Sequence, residues 1–345
     1  MRNNLSEELA HPTYLGLNGS AEARMLHSTT QGNCTDPGIH FQHSLYAVTY
    51  TVVLIPGLLA NMLALWMLSS YIRKRNKTII FLVNLALADL AHIMSLPLRI
   101  YYYINNVWPF GLFLCQFCFY LKYLNMYASI CFLTCISIQR YLFLLYPFKA
   151  KNWKRRYDIS ICVAIWIISG ASCLTFPLSR KFENPTSCFT ELGIKTGNKV
   201  TSLLMVTLAE FFGFVIPLVA IVYCTWKTKM SLQEPQIHLQ STSEKQKALR
   251  MIAMCAVVFF VCFTPYHVVF FFYMLVKNQV ITNCASRQSI LYLHPFCLSL
   301  ASFNSCLDPV LYFFTTSEFR RISRHSSLAF RSRLMSKESA SSVKE

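Results

Sequence analysis

Seven stretches of the chain are almost purely apolar and 20 to 27 residues long: Leu45–Ser70, Ile79–Tyr103, Leu114–Ile138, Ile159–Leu178, Val200–Trp226, Met251–Val276 and Ser289–Phe314. Between them the pattern turns abruptly polar. Crossing about 30 Å of hydrocarbon at about 1.5 Å per residue takes about 20 residues, so each stretch predicts one membrane-spanning helix. None shows the alternation of a barrel strand, and a lone strand in lipid would leave its amides unpaired. Pro56, Pro97, Pro177, Pro217, Pro265, Pro295 and Pro309 lie inside these stretches. Each would break a soluble helix, but in a packed membrane bundle each predicts a kink. The expected fold is therefore an all-α membrane protein, a seven-transmembrane helix bundle.

Composition agrees with that pattern. A chain of 345 residues would ordinarily suggest two soluble domains, but 54% hydrophobic and 14% charged residues and a mean hydropathy of +0.40 exclude a water-solvated surface. The net charge of +17 would suggest nucleic acid in a soluble protein. Its location says otherwise. Of 32 Lys and Arg, 22 lie in segments 71–78, 139–158, 227–250 and 315–345, eight lie on the opposite side, and Arg99 and Lys122 lie inside spans. The positive-inside rule then puts the C-terminus in the cytoplasm and the N-terminus outside, and no nucleic-acid partner is called for. Asn4, Asn18 and Asn33 head glycosylation sequons on the arm so assigned to the outside, while Asn76 falls in an inner loop and the Asn184 sequon contains a proline. No apolar leader precedes the first span, which is expected to act as the insertion signal. The organisation expected is an extracellular glycosylated arm (1–44), the bundle (45–314), and a cytoplasmic segment (315–345). In that last segment 317–328 predicts a short amphipathic helix on the inner membrane face, followed by a Ser-rich tail.

Ionisable groups inside spans cost about 2.5–3.5 kcal/mol each on insertion scales, which makes every one a functional candidate. Arg99 and Lys122 sit in the outer halves of spans two and three. Arg180, Lys277 and Arg287 near the outer ends would extend a basic ring, interleaved with Tyr101, Tyr102, Tyr103, Tyr123, Tyr127, Tyr266, His267 and His294. A basic, aromatic-lined pocket suits an anionic ligand with an apolar portion; for Lys277 and Arg287 interfacial snorkelling is the competing reading. Deeper, Asp89, Ser129, Asn304 and Asp308 come from spans two, three and seven at matching depths. Hard oxygen donors of this kind suit a small cation such as sodium, and a hydrogen-bonded polar core with one protonated aspartate fits equally. No other cofactor is expected. Cys115 and Cys188 both face the oxidising side, where a disulfide would tie the fourth-to-fifth-span loop across the pocket mouth, and Cys34 with Cys284 forms the natural second pair.

Residues 45–325 resemble a rhodopsin-like (class A) G-protein-coupled receptor. The marks are Gly57 and Asn61, Asn84-Leu-Ala-Leu-Ala-Asp89, Cys115 with Cys188, Gln139-Arg140-Tyr141, Trp166, Pro217, Phe259-x-x-Cys262-Phe263-Thr-Pro265-Tyr266 and Asp308-Pro309-x-x-Tyr312. Leu96-Pro97-Leu98-Arg99-Ile100-Tyr101-Tyr102, Trp108-Pro109-Phe110-Gly111 and Tyr123-x-Asn125-Met126-Tyr127 resemble the purinoceptor-like branch, and Phe119-Tyr-Leu-Lys-Tyr-Leu-Asn125, Cys224-Thr-Trp-Lys227, Glu244-Lys-Gln-Lys-Ala-Leu249 and Arg331-Ser-Arg-Leu-Met-Ser-Lys-Glu338 resemble, within it, the receptors for lysophosphatidylserine. The resemblance implies a plasma-membrane receptor whose ligand's phosphate and serine head group meets Arg99, Lys122, Tyr123, Arg180 and Lys277, with the acyl chain along spans four and five. It also implies signalling through heterotrimeric G proteins of the Rho-activating twelve/thirteen class, with arrestin and receptor kinases acting on the Ser-rich tail. Arg140, Tyr141, Phe263, Pro265, Asp308 and Tyr312 are the residues it assigns to activation and coupling. Two positions depart from the family pattern: Gln139 replaces the usual acid beside Arg140, and Phe263 replaces the usual tryptophan. The first predicts raised ligand-free signalling.

A nucleotide would use the same charges without a tail groove and is the alternative ligand. A transporter would show internal repeats or a charged path through the bundle, and an intramembrane enzyme a paired acid and base; the sequence has neither.

Overall fold

The computed structural model describes residues 38–72, 79–178, 188–189, 199–233 and 242–315. The described residues contain seven helices long and apolar enough to cross a membrane: His40–Ser69, Ile79–Asn105, Gly111–Leu145, Arg155–Thr175, Leu203–Ser231, Gln246–Lys277 and Cys284–Tyr312, here spans one to seven. The protein is a multi-pass membrane protein. The helices overrun the apolar stretches at several ends. The first begins at Ile39, the third runs from Gly111 to Leu145, and the sixth starts at Thr242. Hydropathy marks only the part that lipid solvates, whereas a helix continues into water as long as its amides stay paired. The seventh opens at Cys284 because Asn283 caps it, its side chain accepting the Ser286 amide at 3.2 Å. The expected helix over 317–328, the sequons at Asn4, Asn18 and Asn33, and Arg180 and Cys34 lie outside the described residues.

Spans one to four pack in succession, as do spans five to seven, and span seven packs against span one. Span three touches spans two, four, five and six, so it forms the centre. The polarity is inverted relative to a soluble protein. Ile55, Leu59, Trp66, Met94, Ile167 and Ile168 are exposed, as a lipid-facing surface requires, while Asn61, Asp89, Asn125, Ser129, Asn304 and Asp308 are buried. Polar bonds join the spans inside: Asn61 Nδ2 donates to the Ser305 carbonyl at 2.7 Å and Trp166 Nε1 donates to Asn84 Oδ1 at 2.8 Å.

Proline shapes the bundle as expected, but not uniformly. Pro56, Pro97 and Pro295 stay within continuous helix. Ahead of Pro217 and Pro265 the backbone instead widens into π turns, Phe211–Val215 and Phe259–Phe263. A proline has no amide to donate and its ring crowds the carbonyl four residues back, and a wider turn accommodates both. Span seven breaks at Phe303 and again at Asp308, just before Pro309.

Candidate functional site

At the end of the bundle that bears the Cys115–Cys188 disulfide, here the outer end, lies an open cavity whose empty space, counted out into the surrounding solvent, is about 610 Å³. It is lined from spans one, two, three, six and seven and by Phe189 of the fourth-to-fifth-span loop. The disulfide fastens that loop to the start of span three (Cα–Cα 5.7 Å). Phe189 is thereby set among Tyr102, Tyr103, Trp108 and Phe119, with ring centroids 5.3 to 6.5 Å away. The loop between spans two and three supports this aromatic wall. It turns through Gly111 at φ +78°, a conformation that glycine adopts without strain, and Trp108 Nε1 donates to the Gly111 carbonyl at 2.7 Å.

Two cations project inward. Arg99 is 1% exposed; its Nη2 donates to the Cys118 carbonyl, its Nε to Ser95 Oγ at 3.4 Å, and its guanidinium lies 4.5 Å from the Phe189 ring centre. Lys122 is 8% exposed, donates to Tyr50 Oη at 3.0 Å, and lies 5.5 and 5.7 Å from the Tyr46 and Tyr50 ring centres. Among the described residues neither has a carboxylate within ion-pair distance. The Phe189 ring and the Cys118 carbonyl at Arg99, and the Tyr46 ring and the Tyr50 hydroxyl at Lys122, stand in place of a counter-ion.

The expected ligand residues among the described ones divide into four groups. Arg99, Lys122 and Tyr123 line the cavity. Tyr102 and Tyr266 are buried in its wall, Tyr102 between His43 and Phe189 and Tyr266 between Phe270 and His294. Lys277 lies at the rim, its ammonium 5.4 Å from the ring centre of Tyr273, which lines the cavity. His267 is turned the other way, its Nδ1 2.9 Å from Glu210 Oε2. The described residues of spans four and five contribute nothing to the lining, whereas the family resemblance puts the acyl chain along them. Tyr103 and His294, both expected from the sequence, line the cavity too, and Gln42, Tyr46, Phe119, Phe189, Tyr273, Leu291 and Leu298 complete the lining. Sequence reasoning passes over Tyr46 and Tyr50 because span one reads as lipid-facing. Their spacing of four, which puts two tyrosines on one helix face, is the available signal.

Below the cavity, Asp89 Oδ1 accepts from Asn125 Nδ2 at 2.9 Å and from Ser305 Oγ at 3.0 Å, and Asn125 Nδ2 also reaches Ser129 Oγ at 3.5 Å. Asp308 adjoins Asp89, and Ser305 Oγ lies 3.4 Å from Asn304 Oδ1. Among the described residues, Asp89 Oδ2 and both Asp308 oxygens accept no hydrogen bond from a donor group such as an amide or hydroxyl. Asp89 and Asp308 meet carboxyl to carboxyl, and an all-oxygen set of this kind fits a hard monovalent cation or a proton shared between the two.

At the inner end, Gln139 does not face Arg140. Its Nε2 donates to Asp158 Oδ1 at 2.8 Å, and Trp153 Nε1 donates to the same oxygen at 2.8 Å. Arg140 has no carboxylate partner among the described residues. Tyr141 packs edge-on to Tyr223 at 5.8 Å, and with Cys224 and Ile252 it closes the inner ends of spans three, five and six together. Phe263 is fully buried with its edge to Phe259, Pro265 opens the helix after the π turn, and Tyr312 Oη donates to the Leu82 carbonyl at 3.4 Å. Cys284 is disulfide-bonded.

Residues 60–312 match the family described as 7 transmembrane receptor (rhodopsin family), well over half of the chain. The chain is a rhodopsin-family receptor. It is a signalling receptor rather than an enzyme. It is 58% identical to the human protein named as putative purinoceptor 10, covering 92% of this chain and 94% of that one. It is 51% identical to human "Probable G-protein coupled receptor 174" over 84% of this chain and 89% of that one, and 35% identical to mouse "Lysophosphatidic acid receptor 4" over 88% and 83%. Receptors of this family take a small-molecule or lipid ligand and couple to G proteins, and an inward cavity above a closed opposite end is the arrangement that role needs.

Proposed function

We propose that this receptor binds an anionic lysophospholipid, lysophosphatidylserine in the first instance, at the plasma membrane with its N-terminus outside, and activates heterotrimeric G proteins of the twelve/thirteen class. The observation that carries the reading is the pair of buried cations, Arg99 and Lys122, with no carboxylate beside either among the described residues. A buried charge without a counter-ion is costly, and an arriving anion recovers part of that cost, so binding energy is concentrated at these two side chains. Tyr123 and the rim Lys277 extend the polar surface, and Leu291, Leu298 and Phe119 suit the first carbons of an acyl chain. The name of the mouse relative supports a lysophospholipid. A nucleotide is the second reading, favoured by the name of the human relative at 58% identity.

Ligand binding does work by redirecting these two groups. An anion at Lys122 competes with Tyr50 and the ring of Tyr46, and so loosens span three from span one; at Arg99 it competes with the Cys118 carbonyl and the Phe189 ring. A ligand shifts a two-state equilibrium by its differential affinity for the two states. The state it favours has span six swung at Pro265, opening the Tyr141, Cys224 and Ile252 cluster so that a G protein reaches Arg140. Asp89, Ser129, Asn304 and Asp308 would hold a sodium ion, whose positive charge would stabilise the paired carboxylates in the closed state. Receptor kinases and arrestin would act on the Ser-rich tail.

The test is G-protein activation by lysophosphatidylserine, lysophosphatidic acid and nucleotides, on the parent and on Arg99→Ala and Lys122→Ala. The reading expects the lipid to activate the parent and both variants to lose potency. Unchanged lipid responses in both would overturn it, and a response to nucleotides alone would favour the second reading.

A further inference from the structure

Glu210 and His267 belong neither to the cavity lining nor to the carboxyl cluster. Glu210 is the residue before the π turn of span five, and His267 comes four residues after the π turn of span six. His267 Nδ1 lies 3.1 and 2.9 Å from the two Glu210 oxygens, and the side chains are 0% and 10% exposed. So buried a carboxylate needs a donor, and the imidazole supplies it.

The pair is embedded in aromatic rings. Phe214, inside the π turn of span five, stacks on His267 at 4.6 Å and 13°, and on Phe259 of the opposite π turn at 5.7 Å and 12°. Phe259 in turn meets the edge of Phe263 at 5.9 Å. Rings thus run unbroken from the pair to the residue two before Pro265. In the other direction Tyr266 touches both His267 (5.2 Å) and His294 (6.0 Å), and His294 stacks on Tyr273 at 4.1 Å. His294 and Tyr273 both line the ligand cavity. Span three closes the remaining side, with the edge of Tyr127 5.8 Å from His267.

We infer that the Glu210–His267 pair is a latch that holds span six against span five in the closed arrangement, and that a ligand in the cavity releases it through His294 and Tyr266. The latch sits where the two π turns face each other, so a rotation of span six about Pro265 separates its two halves. Breaking it removes an interaction made only in the closed state, which shifts the population toward the open one without any ligand. Linkage then requires that agonist affinity rise by a comparable factor while the closed state still predominates. This rests on membership of the receptor family and not on the identity of the ligand.

The experiment measures ligand-free nucleotide exchange on a panel of purified G proteins, using full-length receptor in nanodiscs matched for amount. Glu210→Gln and His267→Asn are each expected to raise basal exchange roughly fivefold or more, a tenfold rise corresponding to about 1.4 kcal/mol. The double variant should rise no further than the larger single one, because both remove the same interaction. Additive rises, or unchanged basal exchange in both single variants, would overturn the latch. If the single variants fail to fold, Glu210→His combined with His267→Glu restores a carboxylate–imidazole bond in reversed order. Parent-like basal exchange in that receptor supports the latch, and raised exchange there overturns it. Failure of the receptor to respond to lysophosphatidylserine leaves these outcomes untouched, so the two readings fail separately.

Discussion

Replacing Lys122 by methionine keeps the unbranched apolar stem and removes the terminal ammonium, which separates a ligand-binding role from a structural one. Lys122 is 8% exposed and meets no carboxylate among the described residues. Its burial costs about 2.5–3.5 kcal/mol on insertion scales. Offsetting this are the hydrogen bond to Tyr50, worth about 1.5–3 kcal/mol for a charged donor, and the contact with the Tyr46 ring at 5.5 Å, worth about 0.5–1 kcal/mol. These terms nearly cancel. Lys122→Met is therefore expected to leave ligand-free stability within about 1–2 kcal/mol of the parent, a shift in Tm of a few degrees at about 2–4 °C per kcal/mol. The ligand side does not cancel. An anionic head group about 4 Å away interacts by about 4 kcal/mol at an effective dielectric of about 20, of which about 1.5–3 kcal/mol survives as a net charged hydrogen bond. Potency should accordingly fall about 10- to 100-fold. The assay pairs thermal unfolding of purified receptor with a lysophosphatidylserine dose–response. A Tm drop of about 10 °C or more, beyond the few degrees expected, with potency unchanged would refute the reasoning, because Lys122 would then be a prop for span one and not a ligand contact.

Three further outcomes are expected. Gln139→Asp gives Arg140 a carboxylate and removes the bond to Asp158, so ligand-free exchange should fall below the parent's; unchanged basal exchange would count against a loosened inner latch. Gly213→Val places a Cβ 2.9 Å from the Tyr127 ring, an overpacking that should cost about 1–3 kcal/mol, read as a lowered Tm; a Tm equal to the parent's would mean that spans three and five are not so closely apposed. Replacing choline chloride by sodium chloride should weaken lysophosphatidylserine potency about fivefold or more, and Asp89→Asn should abolish the difference; equal potency in both salts would remove sodium from the reading.

The bundle is legible in the sequence because lipid imposes a simple rule, that a span must be apolar and long. The rule says nothing of where a helix ends in water, which is why Ile39 and Thr242 lie beyond the hydropathic boundaries. Arg99 and Lys122 stand out for the same reason, as charges where charge is expensive. Their neighbours do not. Nothing in the apolar run of span one marks Tyr50 as the acceptor for Lys122, and only the fold brings Phe189 over Arg99. His267 reads as a ligand residue because it sits among tyrosines. The structure turns it toward Glu210, a partner 57 positions away whose depth in the bundle no local pattern matches to its own. Gln139 is legible as a departure but not in its consequence: the acid it binds, Asp158, belongs to the first turn of the next span.

Span three is tied down at both extremities, by the bond from Cys115 to Cys188 at one and by the Gln139, Asp158 and Trp153 knot at the other. A rod so anchored behaves as the stator of the molecule, and the helices around it as moving parts. A push delivered at the cavity is then not dissipated by sliding the centre along its own axis. It is turned sideways into the flanking helices that span three touches, and these carry it to the inner face.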